Sequence, residues 1–425
     1  MMNSITYFFE DPIAQKVILG VAIIGAVSGV VGTFSFLRKK TLVADAVSHS
    51  VFPGVCLGFM FAGTKDPIVL MVGAVVIGWF SVWMIDYISR ATKLSEDTAI
   101  ALVSTFFFAI GSVLLSVISK SQNSEQTGLK NFLFGKAATM TTFDIEVFLF
   151  VAGLILVVVI SFFKAFQLLC FNREYAKSIG FNVNKVEFLL STLTVMTVAI
   201  GIQAVGVVLM SALLISPAAS ARYWTNKLST MLIISAVFGL ISGILGVVLS
   251  TVKDNMPTGP WIVFALFFFT LMTLLFAPKK GWFSIQKRNR SNARKIAEEN
   301  TLKTFFQLKE EGFDKVMIRQ FLEKRAIDTS ILGKVLKRMV KNGWLIEHQK
   351  VYVLTENGSI EAARIVRSHR LWELYLTKRM NFKDDHIHGT AETIEHLITP
   401  EIEKELLKEL DFPVSDPHNK DIPYK

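Results

Sequence analysis

Two groups of side chains in this sequence have the types and spacing to handle a metal ion. The first is Asp45 and His49, a carboxylate and an imidazole four residues apart within a long apolar stretch. On a helix that spacing puts both on one face. They lie five and nine residues past Lys40. At 1.5 Å per residue His49 would sit roughly 14 Å beyond that lysine, near the middle of a bilayer if the segment spans one. An Asp at that depth costs a few kcal/mol on insertion scales and is kept where it has a partner or a water-filled cavity. Carboxylate plus imidazole suits Mn²⁺, Zn²⁺ or Fe²⁺. A buried Asp–His hydrogen bond that only braces the helices is the other reading these residues leave open. Pro53-Gly54 follows at once and is expected to break the helix, and broken helices at mid-membrane are where transporters build binding sites.

The second group lies near the C-terminus, where five of the seven histidines fall between 369 and 418. His369 and Glu373 stand one turn apart on an expected helix. His388, Glu392, Glu395 and His396 share another helical face, with spacings of four, three and one. Carboxylates and imidazoles so spaced form a metal-ligand pattern, and a surface helix rich in Glu and His would look the same.

The elements that carry these groups differ sharply in composition. The 425 residues are 52% hydrophobic, with a mean hydropathy of +0.46. Positions 1–278 hold 17 Lys+Arg and 13 Asp+Glu, and positions 279–425 hold 28 and 22. The first part is therefore lipid-compatible and the second soluble, with the boundary near Pro278-Lys279-Lys280. The net +10 does not demand nucleic acid, since basic loops facing anionic lipid account for it. Two cysteines, Cys56 and Cys170, in or near apolar runs argue against a disulfide framework and a cysteine metal site. The first apolar run is long and no basic stretch precedes it, so no cleavable signal peptide is expected.

A bilayer core needs roughly 20 apolar helical residues. Suitable runs fall at 13–36, 42–62, 67–89, 96–118, 144–168, 186–203, 204–222, 228–251 and 259–277, which makes about nine spans. Only Gly201 and Gln203 divide 186–222. With the N-terminus outside, the clusters Arg38-Lys39-Lys40, Arg90 to Lys93, Arg173 to Lys185, Arg222 to Lys227 and Lys279-Lys280 all fall on the cytoplasmic side. The segment 119–143, with three lysines, faces outward. Asp86, Lys164 and Glu187 lie at span ends, where they can snorkel.

Several stretches in this part match a known pattern. ADAVSHSVFPG (44–54), VGVVLMSALLISPAASAR (205–222), DNMPTGP (254–260) and FNREYAKSIGF (171–181) resemble, in that order of role, the early signature, second signature, last extracellular turn and cytoplasmic coupling segment of the zinc/manganese/iron-type ABC permease family. The resemblance covers nearly all of 10–278. It implies a permease that dimerises and pairs with a separate ATPase and an extracytoplasmic metal-binding protein. It also implies that Asp45 and His49 contact or gate the ion, and that 171–185 docks in a groove of the ATPase, with Glu174, Ala176 and Gly180 in the expected spacing. Ser216-Pro217 falls in the second signature, where shaping the pathway and plain packing are both open. No GxxxxGK[ST] occurs, so this chain is not expected to cradle a nucleotide by that device.

The stretch KKGWFSIQKRNRSNARK (279–295) opens a polar linker or helix over 279–300. Helical periods follow at 301–311 and 314–325. Asp328-Thr329-Ser330 can cap a further helix, expected to bury Ile331, Leu332, Val335, Leu336 and Met339. Lys334, Lys337, Arg338 and Lys341 then form the opposite face, a candidate DNA surface or simply a solvated one. WLIEHQKVYVLT (344–355) alternates like a hairpin. This order is that of a winged helix-turn-helix over 301–360. LTENGSIEAARIVRSHRLWELYL (354–376), HGTAETIEHLITPEIEKELLKEL (388–410) and PHNKDIP (417–423) resemble the diphtheria-toxin-repressor family of metal-dependent regulators. That resemblance implies a helical metal-binding and dimerisation region over 361–425, with His369, Glu373 and His388 at one metal site and Glu392, Glu395 and His396 at another. Glu392 stands where iron-type members carry Cys, which is the manganese-regulator pattern and suits a harder ion. The positions that align with ligands of the first helix are Asn300 and Lys303, and a protonated lysine cannot ligate.

The expected protein is thus an all-α polytopic helix bundle in the bacterial cytoplasmic (inner) membrane, 1–278, with a cytoplasmic winged-helix and metal-binding tail. Its expected role is that of a permease subunit, not an enzyme, of an ATP-driven importer of Mn²⁺, Zn²⁺ or Fe²⁺. The tail would sense metal. The alternative is a membrane-anchored, metal-responsive DNA-binding regulator. A carrier driven by an ion gradient is a third reading, against which the coupling-like segment 171–181 leans.

Overall fold

The structure is a computed structural model that describes residues 12–64, 66–120, 135, 140–252, 256–380, 398–418 and 420–424. It divides into two compact units, 1–285 and 286–425.

The first unit is helical. Its elements are α1 (Pro12–Leu37), α2 (Thr41–Ser50), α3 (Phe52–Ala62), α4 (Pro67–Ala91), α5 (Glu96–Lys120), α6 (Thr142–Ser161), α7 (Phe163–Phe171), α8 (Arg173–Ser178), α9 (Val183–Val205), α10 (Val207–Trp224), α11 (Leu228–Ser250) and α12 (Thr258–Phe276). Among the described residues, eight stretches are long and apolar enough to cross a membrane, α2 and α3 counting together as Thr41–Ala62. The segment expected as a ninth span, 204–222, corresponds to α10. It parts from α9 at Gly206, whose φ of +94° is a conformation that side chains with a Cβ rarely adopt. The run 144–168, read as one span, is two helices with a break at Phe162.

The expected break at Pro53 occurs. Helix α2 ends at Ser50 and α3 starts at Phe52, with Pro53 in its first turn. A proline there costs α3 nothing, because first-turn N–H groups have no helical acceptor. It does, however, have no N–H to return to the His49 carbonyl one turn back.

The core of the bundle is built on α1, α9 and α10, which bury Val21, Ile24, Phe34, Val195, Ile202, Met210 and Leu214. Outer helices α4, α5, α6 and α12 turn Trp83, Phe106, Phe150 and Phe267 outward, as lipid-facing helices do. Helices α1 and α11 meet backbone to backbone. A Cβ on Gly25 would fall on the Gly239 carbonyl, and one on Gly29 would meet that of Ser235. The Ser235 hydroxyl donates to the Gly29 carbonyl at 2.7 Å. Such close approach replaces the hydrophobic drive that lipid removes between helices. Gly25→Val therefore forces the two helices apart. We expect a loss of about 1–3 kcal/mol, as for other overpacked cores, read as a lower melting temperature of the detergent-solubilised protein. An unchanged melting temperature would show that the contact is not a close one.

The second unit begins within α13 (Trp282–Glu310), a 29-residue helix that runs through most of the expected linker. It continues with β1 (Val316–Met317), α14 (Ile318–Lys324), α15 (Thr329–Lys341), β2 (Leu345–His348), β3 (Val351–Leu354), α16 (Glu356–Met380) and α17 (Pro400–Glu409). The three strands form an antiparallel sheet in the order β1-β3-β2. Asp328 caps α15, accepting from the Ser330 and Ile331 amides at 2.7 and 3.2 Å. Leu332, Val335, Leu336 and Met339 are buried as expected, but Ile331 is 51% exposed. It lies roughly a quarter-turn from the centre of that i, i+3, i+4, i+7 stripe, beyond the reach of the core. Lys334, Lys337 and Lys341 face outward. Arg338 instead lies 3.0 Å from Glu298 of α13, which removes it from the open basic face.

Candidate functional site

Helix α2 carries Asp45 and His49 and packs on α5, α9 and α10. Asp45 Oδ1 and His49 Nε2 are 3.9 Å apart, and the side chains are 42% and 28% exposed. That separation exceeds a hydrogen bond. The pair therefore does not act as a buried brace; both groups open onto the same uncovered face of the bundle. The His49 ring stands edge-on to Phe108 of α5, with centroids 5.4 Å apart, which orients the imidazole. On the flank of α2 next to the pair, Ser48 is buried and turns its hydroxyl to the Ala44 carbonyl at 3.0 Å. Ala44, Ala46, Val47, Ser48 and Ser50 are buried around the rest of α2, and the small ones among them let neighbouring helices come close on both flanks of the Asp–His face.

The segment 171–181 forms a short helix with a left-handed exit. Asn172 caps α8 by accepting from the Tyr175 amide at 2.9 Å. Ala176 is buried against Leu169 and Val183. Gly180 ends the turn at φ +85°, with open space where a side chain would be. Glu174 points outward, 3.1 Å from Lys177. Around it Phe171, Tyr175, Ile179 and Phe181 are exposed, an apolar patch at the end of the spans.

One feature here carried no signal in the sequence. Glu187, expected only to snorkel, holds two arginines at once. Its Oε1 accepts from Arg38 at 3.1 Å and its Oε2 from Arg173 at 2.9 Å. The Arg38 side chain is only 9% exposed. Arg38 lies just past α1, three residues before α2, and Arg173 begins α8. A single carboxylate thus joins the loop that leads into the Asp45–His49 helix to the helix at 171–181.

In the tail, His369 and Glu373 both lie on α16, with His369 Nε2 3.0 Å from Glu373 Oε1. Both are buried, at 4% and 2% exposure. Lys303 of α13 reaches the same place: its Nζ lies 3.0 Å from His369 Nδ1. One turn earlier, Asn300 Oδ1 is buried with no hydrogen-bond partner among the described residues. The other expected tail ligands, His388, Glu392, Glu395 and His396, lie outside the described residues. Among the described residues, no group of three or more His, Cys, Asp or Glu side chains is arranged to hold a metal.

Comparison with known proteins settles the family. Residues 10–277 match the family model described as the ABC 3 transport family. The chain belongs to the ABC 3 transport family. The manganese transport system membrane protein MntC of Bacillus subtilis is 34% identical over 89% of this chain and 88% of its own length. The zinc transport system membrane protein TroC of Treponema pallidum is 37% identical over 66% of this chain and 94% of its own. Among solved structures, PsaBC from Streptococcus pneumoniae in complex with Fab aligns with a TM-score of 0.61 at 31% identity, covering 67% of this chain and all of that one. Residues 355–424 separately match the metal binding and dimerisation domain of iron dependent repressors. This is therefore an ABC 3 transport family permease, a multi-span membrane protein, with a repressor-like domain at its C-terminal end.

Proposed function

We propose that this chain is the membrane-spanning subunit of an ATP-driven importer for a divalent transition-metal ion, Mn²⁺, Zn²⁺ or Fe²⁺. The observation that carries the reading is the Asp45–His49 pair, half-exposed on one face of an apolar span that is interrupted just beyond it. A carboxylate and an imidazole with room between them are ligands waiting for an ion rather than partners for each other. The relatives' names, manganese and zinc transport system membrane proteins, support the ion class.

The open face of α2 is the surface on which a second copy would close the pathway. A separate ATPase docks on 171–181, where Glu174, Ala176 and Gly180 shape a rigid projection edged with exposed aromatic and aliphatic side chains. Glu187 transmits movement of that projection, through Arg38, to the helix that bears Asp45 and His49. An extracytoplasmic metal-binding protein delivers the ion from the opposite side, with the tail in the cytoplasm as the basic loops require.

Metal uptake tests the reading directly. A strain without its own importers, given this chain with the ATPase and binding protein of a related metal importer, should accumulate Mn²⁺ or Zn²⁺. Replacing the phosphate-binding lysine of the ATPase should stop it. Uptake that persists with the dead ATPase would instead identify a carrier driven by an ion gradient.

The repressor-like match over 355–424 and the outward lysines 334, 337 and 341 favour a second reading, a DNA-binding regulator held at the membrane. Retardation of a specific duplex by the purified full chain, dependent on Mn²⁺, would support it. Non-specific retardation that fades uniformly with salt would mark only a basic surface.

A further inference from the structure

The tail cluster at His369 and Glu373 does not fit a divalent metal, because another cation stands there. Lys303 extends from α13 to 3.0 Å from His369 Nδ1. It is buried to 2% exposure, as deeply as its neighbours His369 at 4% and Glu373 at 2%. A lysine ammonium has three donors and no acceptor. With Lys303 as the ammonium, His369 Nδ1 accepts a hydrogen bond from it, and its lone pair is engaged in that bond. The remaining ring proton then resides on Nε2, which lies 3.0 Å from Glu373 Oε1. A metal ligand must offer a free lone pair from one ring nitrogen, and in this arrangement neither nitrogen has one. A divalent ion brought to the same spot would also meet a fixed positive charge at contact distance.

We propose that Lys303 is a built-in substitute for the metal ion of this cluster, so that His369 and Glu373 tie α16 to α13 without metal. A metal ion held by imidazole and carboxylate ligands from two helices would draw those helices together. Here a covalently tethered cation does so at all times. The closed arrangement of these two helices, and of the winged-helix surface that grows from α13 and α15, is then independent of cytoplasmic metal at this position. This proposal concerns the tail alone and stands whether or not the membrane unit carries metal.

The test uses the full-length protein in detergent, with MnCl₂ as the probe. Equilibrium dialysis with elemental analysis compares the wild type, His369→Ala, Lys303→Glu, and Lys303→Glu combined with His369→Ala. Wild type and His369→Ala should bind the same number of Mn²⁺ equivalents. Lys303→Glu, which exchanges the cation for a ligand, should gain one equivalent, and the double variant should lose it again. A wild-type chain that surrenders an equivalent on His369→Ala overturns the proposal. A second measurement needs no variant. Amine acylation of the wild type, read peptide by peptide by mass spectrometry, should find Lys303 protected to the same degree with and without saturating Mn²⁺. A rise in Lys303 labelling on adding Mn²⁺ means that metal displaces the ammonium, and this too overturns it.

Discussion

Asp45→Ala is expected to cut metal uptake severely and to leave the helix bundle folded. The first half of that expectation rests on position. Asp45 is the one carboxylate on its helix, and it shares an open face with His49. On the proposed route, removing Asp45 takes away the one carboxylate of α2 that an ion could meet, and with it a direct electrostatic contact. A loss of at least about 1.4 kcal/mol, hence about tenfold or more in uptake rate, is the minimum expected. The second half rests on what Asp45 does not do. Its distance to His49 is 3.9 Å, and its side chain is 42% exposed, so little of the fold depends on it. An exposed pair of that kind contributes about 0–1 kcal/mol to stability. Initial rates of Mn²⁺ and Zn²⁺ uptake, set beside the melting temperature of the purified variant, separate the two effects. Asp45→Asn should behave like Asp45→Ala, because it keeps the shape and removes the charge. His49→Gln should also fail. A variant that melts like wild type and transports like wild type would remove the pair from the ion's route.

What the sequence made legible here is what depends on local chemistry. The i,i+4 spacing put Asp45 and His49 on one face, and Pro53 announced the break after α2, because both follow from helix geometry. The cap at Asp328 and the buried stripe Leu332, Val335, Leu336 and Met339 were readable for the same reason. The long helix α13 was less so. Its stretch 286–295 is mostly exposed and has no apolar period; Lys, Arg, Gln and Ala favour helix by propensity alone, while Leu302 and Phe305 anchor its far end. Gly206 was hidden in an unbroken apolar run, since only its backbone conformation distinguishes it from the other glycines of the spans. The misfit of Lys303 was visible from its alignment with ligand positions, but its reach to His369, 66 residues away, belongs to the fold. Glu187 is the extreme case. Its partners lie 149 and 14 residues away, and no periodicity links them.

That same residue gives the second large effect. Glu187→Gln should uncouple ATP hydrolysis from transport. The carboxylate compensates two guanidinium groups, but unequally. Arg173 is about half-exposed, so its share is screened and worth at most about 1 kcal/mol. Arg38 is 9% exposed. Removing the partner of a buried charge costs about 3–5 kcal/mol when no substitute reaches it. The amide of Gln can still accept one hydrogen bond, which keeps the fold but releases one of the two arginines and neutralises neither. The entry to α2 and the start of α8 are then no longer held by one side chain. With the proposed ATPase bound, hydrolysis continues because its docking surface at Tyr175, Ile179 and Phe181 is untouched, while the helix bearing Asp45 and His49 no longer follows. The expected reading in proteoliposomes is uptake per ATP hydrolysed reduced about tenfold, corresponding to about 1.4 kcal/mol of lost coupling, at a near-normal hydrolysis rate. Glu187→Asp, which keeps the charge on a shorter arm, should recover part of the ratio. If Glu187→Gln lowers hydrolysis and uptake in the same proportion, the residue serves assembly or folding and not the transmission of movement.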